Sequence, residues 1–366
     1  MGKRGLLQRL SEGVVIGDGS FVFTLEKRGY VKAGPFTPEA SVEHPDAVKG
    51  LHREYLRAGA DVMQAFTFYS TDDKLSFGGN ALGKKVTCKD INNSACRIAL
   101  EVAAEGDALV AGGLSQTPSY PAGKGKDFVQ AEFRDQINIF LSHKVDFIVC
   151  EFFQYVEEIE WAIEEAKKSG LPVAATMCIG KPGGVCGTPL GDAAVRMARA
   201  GADLVGLNCM FDLDMTIENI RIMKDALDKA GLKPFLMTQP NGFYTTGTGK
   251  DGWMECPEYP FAMETRTVGR FEVQKYAREA YELGVRYIGG CCGFESYHIR
   301  AIAEELTKER GGRLPPASEK HEPWGGALKL STHASTRARA NREHWENLVP
   351  NSGRTKPPTY GLPSSS

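Results

Sequence analysis

Short apolar runs alternate with amphipathic segments along most of the chain. The runs are unbroken and rich in β-branched residues, which is typical of strands in a parallel sheet that is covered on both faces. Between the runs, apolar residues recur at the spacing of one helix face, as Val48, Leu51 and Tyr55 do. The pattern predicts eight strands, each followed by a helix, at residues 14–18, 61–69, 108–114, 145–153, 172–179, 203–209, 234–239 and 286–291.

Glycines mark the ends of several predicted helices. Gly59, Gly201 and Gly284 each stand between a helical pattern and an apolar run. Glycine best tolerates the left-handed conformation in which many helices end. Eight repeats of strand and helix favour an α/β fold of the closed (β/α)8 type, the TIM barrel, over an open doubly wound sheet. We assign residues 1–310 to this barrel domain.

The alternation stops after residue 310. One helix is predicted over residues 336–348, and the Pro- and Ser-rich residues 355–366 are predicted to form a mobile tail. This segment carries Trp324 and Trp345 but is too short to form a core of its own. We therefore expect residues 311–366 to pack on the barrel or, as we prefer, to reach a second subunit as a C-terminal oligomerisation arm.

Charge and composition exclude several classes of partner. The 46 acidic and 44 basic residues give a net charge of −2, so no global basic field points to nucleic acid or to an anionic membrane. There is no apolar run of about 18 residues, as a spanning helix needs, and no secretion signal is apparent. The nine cysteines are therefore predicted to be reduced thiols of a cytoplasmic protein.

Three of these cysteines fall at predicted strand ends, where TIM barrels carry their chemistry. They are Cys209, in Gly-Leu-Asn-Cys, and Cys291 and Cys292, in Gly-Gly-Cys-Cys-Gly. Zinc binds thiolates readily, and three protein ligands leave its fourth position open. Neighbouring residues of a regular strand point to opposite faces, so the glycines must let the chain turn there. The sequence predicts a Zn²⁺ site, against the alternative of a tight buried turn.

The predicted site favours chemistry at sulfur. Three thiolates around Zn²⁺ carry a net charge of −1, so a bound water would be poorly activated. A substrate thiol can bind instead as a fourth thiolate, with a lowered pKa and with its sulfur still nucleophilic. Alkyl transfer to sulfur therefore suits the site better than hydrolysis.

Two carboxylates and several aromatic residues are predicted on the same rim. Asp18 and Glu151 could bind a substrate ammonium, with the loop N–H groups at Gly19 and Ser20 free for its carboxylate. The alternative is a salt bridge from each carboxylate to a barrel Lys or Arg. Aromatic rings could bind a methylated onium group by cation–π attraction, although such a stripe is more often core. The rim aromatics are Phe36, Phe66, Phe68 and Tyr69.

Two further motifs are assigned structural roles. Residues 247–252 match the GxGxxG pattern, but no strand precedes them directly and no helix follows, so we predict a loop over the rim. His298, just past the cysteine pair, is predicted to start a helix and not to bind metal.

The chain resembles the homocysteine S-methyltransferase family from about residue 5 to residue 354. The matching stretches are Gly17-Asp-Gly-Ser, Phe66-Thr-Phe-Tyr, Gly206-Leu-Asn-Cys and Tyr287-Ile-Gly-Gly-Cys-Cys-Gly-Phe. The resemblance implies a (β/α)8 barrel with a three-cysteine zinc site, and Cys209, Cys291 and Cys292 stand at the matching positions. It also implies that Asp18 and Glu151 contact homocysteine, that Tyr69 contacts betaine, and that the tail joins subunits into a tetramer or dimer.

The expected reaction is methyl transfer from betaine to homocysteine, by direct attack of a zinc-bound homocysteine thiolate, giving methionine and dimethylglycine. The expected catalytic residues are the three cysteines and Glu151. Phe36 and Phe152 stand where betaine-using members usually carry Trp and Tyr, so a sulfonium donor such as S-methylmethionine is the nearest alternative. A non-catalytic, zinc-stabilised binding protein is the alternative of another class. A purely structural zinc, however, usually has four protein ligands.

Overall fold

Eight parallel strands form a single sheet in the order β1-β8-β7-β6-β5-β4-β3-β2. Strands β2 to β8 pair with their neighbours in sequence, and β1 pairs with β8. The computed structural model describes residues 3–31, 38–78, 86–181, 183, 187–316, 318 and 323–347. Phe36 and the predicted mobile tail lie outside these residues. The strands are β1 Val15–Ile16, β2 Val62–Gln64, β3 Leu109–Ser115, β4 Phe147–Phe153, β5 Val173–Met177, β6 Leu204–Cys209, β7 Phe235–Pro240 and β8 Val285–Ile288.

Helices follow the strands and cover the outer face of the sheet. All eight predicted strands are confirmed as strands that alternate with helices. The α-helices are α1 Leu6–Glu12, α2 Val22–Lys27, α3 Ala40–Glu43, α4 Pro45–Ala58, α5 Asp72–Gly78, α6 Cys88–Ala103, α7 Lys126–His143, α8 Val156–Lys167, α9 Leu190–Arg199, α10 Leu213–Lys229, α11 Arg270–Leu283, α12 Ser296–Glu305, α13 Ala334–Arg337 and α14 Arg342–Glu346. None of the helices in the described part of the chain is both long and apolar enough to cross a membrane.

The sheet is a nearly closed, TIM-like barrel, and its seam lies between β1 and β2. One backbone hydrogen bond crosses the seam, from the Asp61 N–H to the Ile16 carbonyl at 2.7 Å. Two side-chain carboxylates add to it. Asp61 Oδ2 accepts from the Ile16 N–H, and Asp18 Oδ2 accepts from the Gln64 N–H, both at 2.9 Å. The predicted barrel closure therefore depends on aspartate side chains where a strand ladder is missing.

The core has two layers. Inside the barrel, inward-facing side chains such as Phe147, Met237 and Tyr287 form one buried cluster, and Leu6 and Leu10 of α1 pack against it. A larger cluster fills the space between the sheet and the helices. The lower part of the barrel therefore serves packing, and the carboxyl ends of the strands, at the top of the barrel, form the candidate site.

Four strands end earlier than predicted. Strands β1 and β5 end at Ile16 and Met177, two residues early, and β2 and β8 end earlier still. Strand β2 ends at Gln64 and strand β8 at Ile288, whereas the apolar runs continue to residues 69 and 291. Residues such as Ala65 and Phe66 are buried in a turn and not in the sheet. Apolar patterning reports burial and not backbone pairing, so it overshoots wherever a buried loop follows a strand.

The left-handed helix ends are confirmed. Gly59, Gly201 and Gly284 have φ angles of 105°, 106° and 107°. At Gly59 a side chain would also collide with the chain that packs behind it, because an added Cβ would lie 2.7 Å from Ala303 Cβ. The three glycines therefore mark the ends of real helices.

The segment after the barrel differs from its prediction in one respect. The single helix predicted over residues 336–348 is wrong. Helices α13 and α14 are separate, because Asn341 is extended (φ −154°, ψ 156°) and its side chain caps α14 by accepting from the His344 N–H. Trp324 and Trp345 both stack on Phe271 of α11, with ring centroids 4.9 Å apart in each pair. Packing on the barrel is thus confirmed for the described residues, while contact with a second subunit stays a prediction.

Candidate active site

A cavity of about 480 Å³ opens at the carboxyl ends of the strands. Its lining includes Asp18, Gln64, Glu151, Cys209 and Gln239, which come from five different strands or strand ends. TIM barrels build their sites from the loops at this rim because each strand end points a side chain into one shared space. The candidate residues of the sequence therefore meet in one place.

The three predicted cysteines lie together in this cavity. The Sγ atoms of Cys209 and Cys292 are 3.6 Å apart, those of Cys291 and Cys292 are 3.9 Å apart, and all three lie within 4.8 Å of one another. A tetrahedral Zn²⁺ with bonds of about 2.3 Å places its sulfur ligands roughly 3.8 Å apart. These distances are also far too long for a disulfide, whose S–S bond is about 2.05 Å. The cluster is a group that could hold a metal ion.

The chain turns sharply to present these sulfurs, as the sequence requires. Cys209 ends β6 in the left-handed region, with φ at 57°. Cys291 and Cys292 follow β8, and the turn is fixed by a hydrogen bond from the Cys291 N–H to the Pro240 carbonyl at 2.8 Å. Gly290 packs so closely that an added Cβ would lie 2.1 Å from the Phe294 ring. The prediction of an irregular strand end is confirmed.

When no cation is bound, the thiolate form is favoured at only one of the three cysteines. Hydrogen bonds from the Cys291 and Cys292 thiols lower the pKa of Cys209 to about 5. Hydrogen bonding to the same Cys209 holds the pKa values of Cys291 and Cys292 well above the ordinary range. A bound metal cation reverses this competition, because its charge favours the thiolate form of every ligand.

Asp18 and Glu151 are buried beside the cysteines and are joined by Gln64. The Gln64 N–H donates to Asp18 Oδ2 at 2.9 Å, and the Gln64 side-chain amide donates to Glu151 Oε1 at 2.6 Å. In the described part of the chain, neither carboxyl forms an ion pair with Lys or Arg within 4.0 Å. The alternative of a salt bridge to a barrel Lys or Arg is therefore wrong for these residues.

Burial raises the pKa values of the two carboxyls. Desolvation raises the pKa of Asp18 to about 7 and that of Glu151 well above its usual range. A negative charge on Cys291 would raise both pKa values further. A positively charged group entering the cavity would lower both pKa values again. The pair is thus a site that favours the binding of a positively charged group.

The predicted use of loop N–H groups needs a correction at Ser20. Its N–H donates to the Phe294 carbonyl at 2.9 Å and is not free for a substrate carboxylate. The Ser20 hydroxyl, in contrast, is buried on the cavity wall and has no hydrogen-bond partner among the described residues. Gly19 also lines the cavity, and an added Cβ there would lie 2.7 Å from the same carbonyl oxygen. The loop after β1 therefore offers a hydroxyl where the sequence suggested an amide.

Phe68, Tyr69 and Phe152 form an aromatic wall of the cavity. The ring centroids of Phe68 and Tyr69 are 4.0 Å apart, and Phe152 meets both rings edge-on, at 5.5 and 6.2 Å. Phe66 also borders the cavity but stacks on Phe21 at 5.2 Å, as a core residue does. The Phe68–Tyr69 pair and the steeply inclined Phe152 ring together offer aromatic surface to a cationic methylated group.

The backbone of this wall is strained. Tyr69 and Phe152 have φ angles of 59° and 61°, in the left-handed region that few residues other than glycine adopt. Each is held there by a hydrogen bond from its N–H, to Ser115 Oγ for Tyr69 and to Asn208 Oδ1 for Phe152, both at 2.9 Å. Such conformations persist only where the surroundings enforce them, and they gather at functional sites.

The comparisons with known proteins agree with this geometry. The family model described as homocysteine S-methyltransferase matches residues 15–306. The chain belongs to the homocysteine S-methyltransferase family. A betaine–homocysteine S-methyltransferase 1 from Mus musculus is 56% identical over 364 residues, which cover 99% of this chain and 89% of the relative. An S-methylmethionine–homocysteine S-methyltransferase, BHMT2 from Pongo abelii, is 54% identical, covering 99% of this chain and 97% of the relative.

A solved structure supports the fold of this family member. The homocysteine methyltransferase MmuM from Escherichia coli, in its metallated form, has a TM-score of 0.61 and 21% identity. The match covers 80% of this chain and 96% of that one. At this identity the likeness supports the barrel architecture alone.

Several residues of this homocysteine S-methyltransferase site were missed in the sequence. Gln64 and Gln239 each end or nearly end a strand, where a polar residue after an apolar run was the available signal. Trp253 and Tyr259 form a wall after β7, with ring centroids 5.0 Å apart. This wall follows residues 247–252, and the predicted loop over the rim is confirmed.

His298 is a structural residue in this family member, as predicted. Its Nδ1 accepts from the Glu295 N–H at 3.0 Å, and its Nε2 lies 2.8 Å from the Val268 carbonyl oxygen. Both ring nitrogens are therefore used to fix the start of α12. The contribution of His298 to the site is the placement of the helix that follows the cysteine turn.

Proposed function

We propose that this protein transfers a methyl group from betaine to the sulfur of homocysteine, giving methionine and dimethylglycine. The observation that carries the proposal is the position of the three cysteine sulfurs. They lie at zinc-like spacing in one cavity with two buried carboxyls and an aromatic wall. Thiol, ammonium and onium groups thus each have a matching partner within one space.

In this proposal, Cys209, Cys291 and Cys292 hold Zn²⁺. When bound, the zinc supplies a Lewis acid that keeps the substrate sulfur in its thiolate form at neutral pH. Three protein ligands leave room for one ligand from the substrate. The spacing of the sulfurs supports zinc, and the soft thiolate donors disfavour hard cations such as Mg²⁺.

Asp18 and Glu151 bind the ammonium group of homocysteine. Each carboxyl uses one oxygen on Gln64 and keeps the other for the substrate. The ammonium compensates the charge that burial makes unfavourable, so substrate binding and carboxyl ionisation support each other. Ser20 offers its unpartnered hydroxyl to the substrate carboxylate.

Phe68, Tyr69 and Phe152 bind the trimethylammonium group of betaine, and Phe36 is proposed to add to this set. The methyl carbon is then transferred in one direct displacement. The new sulfur–carbon bond forms while the carbon–nitrogen bond breaks, and its electron pair stays on the nitrogen of dimethylglycine. The residues contribute mainly orientation and exclusion of water, which are the effects that a displacement between two bound reactants needs.

A sulfonium donor is the second candidate. The relative named for S-methylmethionine is nearly as similar to this chain as the one named for betaine. Phe152 has no hydroxyl group to offer a betaine carboxylate. The aromatic wall, however, binds an ammonium and a sulfonium by the same attraction.

The proposal is tested by offering zinc-loaded protein homocysteine together with betaine, S-methylmethionine or neither, and following methionine by mass spectrometry. Betaine with deuterated methyl groups should give methionine three mass units heavier for each transferred group. Methionine from S-methylmethionine alone would replace the donor assignment. Zinc binding with no methionine from any donor would favour the non-catalytic binding protein.

We also propose that residues 1–310 form the catalytic domain and that residues 311–366 join subunits into a tetramer or dimer. Leu330 supports this, because 88% of the surface of this large apolar residue is exposed. A cytoplasmic location belongs to the same proposal. It is supported by the eight described cysteines, none of which forms a disulfide.

A further inference from the structure

Lys74, on α5, places its ammonium group against the aromatic wall. Its Nζ lies 4.0 Å from the centroid of the Tyr69 ring. Tyr69 lines the cavity, whereas Lys74 does not. The protein therefore already supplies one cation to the ring that borders the proposed donor site.

Tyr69 cannot move away from this cation. Its N–H is held by Ser115 Oγ at 2.9 Å, and its hydroxyl oxygen accepts from Gln116 Nε2 at 2.8 Å. Phe68 packs on it with a centroid distance of 4.0 Å. The ring is thus fixed at its backbone, its hydroxyl and one side, and the charge of Lys74 acts on a ring of constant position.

Two acidic residues act electrostatically on Lys74. Asp73 and Glu158 both attract its charge. Asp73 is anchored by the Ser119 hydroxyl at 2.6 Å, and Glu158 by the Thr117 N–H at 2.6 Å. These carboxyls keep Lys74 cationic and offset part of its field. Desolvation acts in the opposite sense and lowers the pKa of Lys74.

We propose that Lys74 is a positioning residue for donor selection, acting through the Tyr69 ring. A cation against the ring weakens its attraction for a second cation and repels that cation directly. A donor with net positive charge, such as S-methylmethionine, meets this repulsion in full. Betaine is a zwitterion, and its carboxylate offsets the repulsion. The inference rests on the proposed function, since it takes the aromatic wall as the donor site.

The expected effect is moderate. Two unit charges about 8 Å apart, in the partly shielded surroundings of a protein surface, change a binding constant by up to about thirtyfold. Asp73 and Glu158 reduce this figure. We therefore expect neutralisation of Lys74 to change the binding of a cation by about three- to tenfold.

The test uses full-length protein loaded with zinc and homocysteine, in three forms: unmodified, Lys74→Met and Lys74→Arg. Two probes of matched shape are titrated by NMR. Tetramethylammonium carries only the positive charge, and 3,3-dimethylbutanoate has the shape of betaine with carbon in place of the charged nitrogen. We expect Lys74→Met to strengthen tetramethylammonium binding three- to tenfold and to weaken, or leave unchanged, dimethylbutanoate binding. Lys74→Arg should behave as the unmodified protein does.

If Lys74 had a purely structural role, its replacement by Met would change the binding affinities of both probes in the same direction. That result would overturn the inference. So would equal tetramethylammonium binding by all three forms, or no binding of it to the unmodified protein. Turnover is measured separately, as the ratio of kcat/KM for S-methylmethionine to that for betaine, which should rise in Lys74→Met. Failure of the proposed reaction then shows as absent methionine, while the binding data still decide the role of Lys74.

Discussion

A single residue, Gln64, forms hydrogen bonds with both buried carboxyls of the cavity. Its backbone N–H serves Asp18 and its side-chain amide serves Glu151. Gly113 gives the pair room, because an added Cβ there would lie 3.3 Å from both Gln64 Nε2 and Glu151 Oε1. Two carboxyl groups are thus oriented before any substrate arrives, and this preorganisation reduces the entropy lost on binding.

Replacing Gln64 by Met should weaken homocysteine binding. The change keeps the length of the side chain and the backbone bond to Asp18 but removes the hydrogen bond to Glu151. Hydrogen bonds to charged groups are worth about 1.5–3 kcal/mol, so the homocysteine KM should rise by roughly ten- to a hundredfold. Steady-state kinetics measure this, and zinc content should stay at the level of the unmodified protein. An unchanged KM would show that Glu151 is oriented by other contacts.

Replacing Cys209 by Ala should remove the metal site. Cys209 is the one thiol that both neighbours support by hydrogen bonds, and two remaining thiols cannot hold zinc as three do. We expect bound zinc, measured by elemental analysis, to fall from one per chain to near zero, and activity to fall by about a hundredfold or more. Cys178→Ala is the matched control, since Cys178 is buried in the same cluster as Cys209. Full zinc in Cys209→Ala would refute the ligand set.

Helix α12 begins directly after the cysteine turn, and its first turn depends on a neutral histidine. His298 Nδ1 accepts from the Glu295 N–H, so its proton is carried on Nε2, which faces the Val268 carbonyl oxygen. A second proton on Nδ1 would face another donor. Burial lowers the pKa of His298 to about 4, with the charges of Lys27 and Arg270 acting in the same direction and the Val268 carbonyl opposing them.

The stability contributed by His298 should therefore depend on pH. Between its unfolded pKa of 6.5 and its folded pKa of about 4, the folded protein binds fewer protons than the unfolded chain, so falling pH favours unfolding. The contribution is complete above pH 6.5 and declines towards pH 4, by about 3 kcal/mol in all.

The comparison is with His298→Asn, whose side-chain oxygen can still accept from the Glu295 N–H. We expect the unmodified protein to have the higher Tm at pH 7.5, and the difference in Tm to shrink steadily towards pH 4.5. The pKa of buried His52 is also low, at about 3, but His52 is present in both proteins, so its effect largely cancels. A Tm difference that is constant with pH would contradict the assignment.

The elements and the cysteine site could be predicted from the sequence because both depend on local order. Apolar periodicity predicts strands and helices, and the glycines beside Cys291 and Cys292 indicate a turn. The pairing of Gln64 with Asp18 and Glu151 could not be predicted, because it requires β1, β2 and β4 to be placed side by side. The wall that contains Trp253 and the hydrogen bond from the Ser20 N–H to the Phe294 carbonyl could not be predicted either. Both depend on loops that meet only after the barrel closes.

At the scale of the whole molecule, the segment after the barrel is attached through aromatic stacking. Phe271 of α11 lies between Trp324 and Trp345, and Arg342 lies 4.8 Å from the Trp324 ring centroid. Beyond these rings the segment is largely exposed. Its attachment to its own barrel therefore depends on a few contacts, which leaves the rest of its surface available to another subunit.

Replacing Phe271 by Ala should loosen this segment and leave the barrel folded. Loss of two stacked pairs costs about 1–3 kcal/mol, so brief trypsin treatment should cut faster after Lys329 and Arg337, both of which are exposed. Phe261→Ala is the control, because Phe261 is 72% exposed on the rim loop and far from the segment in sequence. Light scattering on the same samples measures subunit number, which should fall in Phe271→Ala if the segment joins subunits. Equal rates of cleavage in the two variants would contradict the stacking role.

The seam between β1 and β2 links the closure of the barrel to the occupancy of its site. The Gln64 amide hydrogen is bonded to the carboxylate of Asp18 and not to a neighbouring strand. At the other end of the seam, Asp61 is also bound by Arg310 and Arg313. Opening of the upper end must therefore depend on how firmly the Asp18 side chain is held. Homocysteine that binds Asp18 should slow deuterium exchange at the Gln64 amide, which makes this single proton a natural reporter of substrate binding.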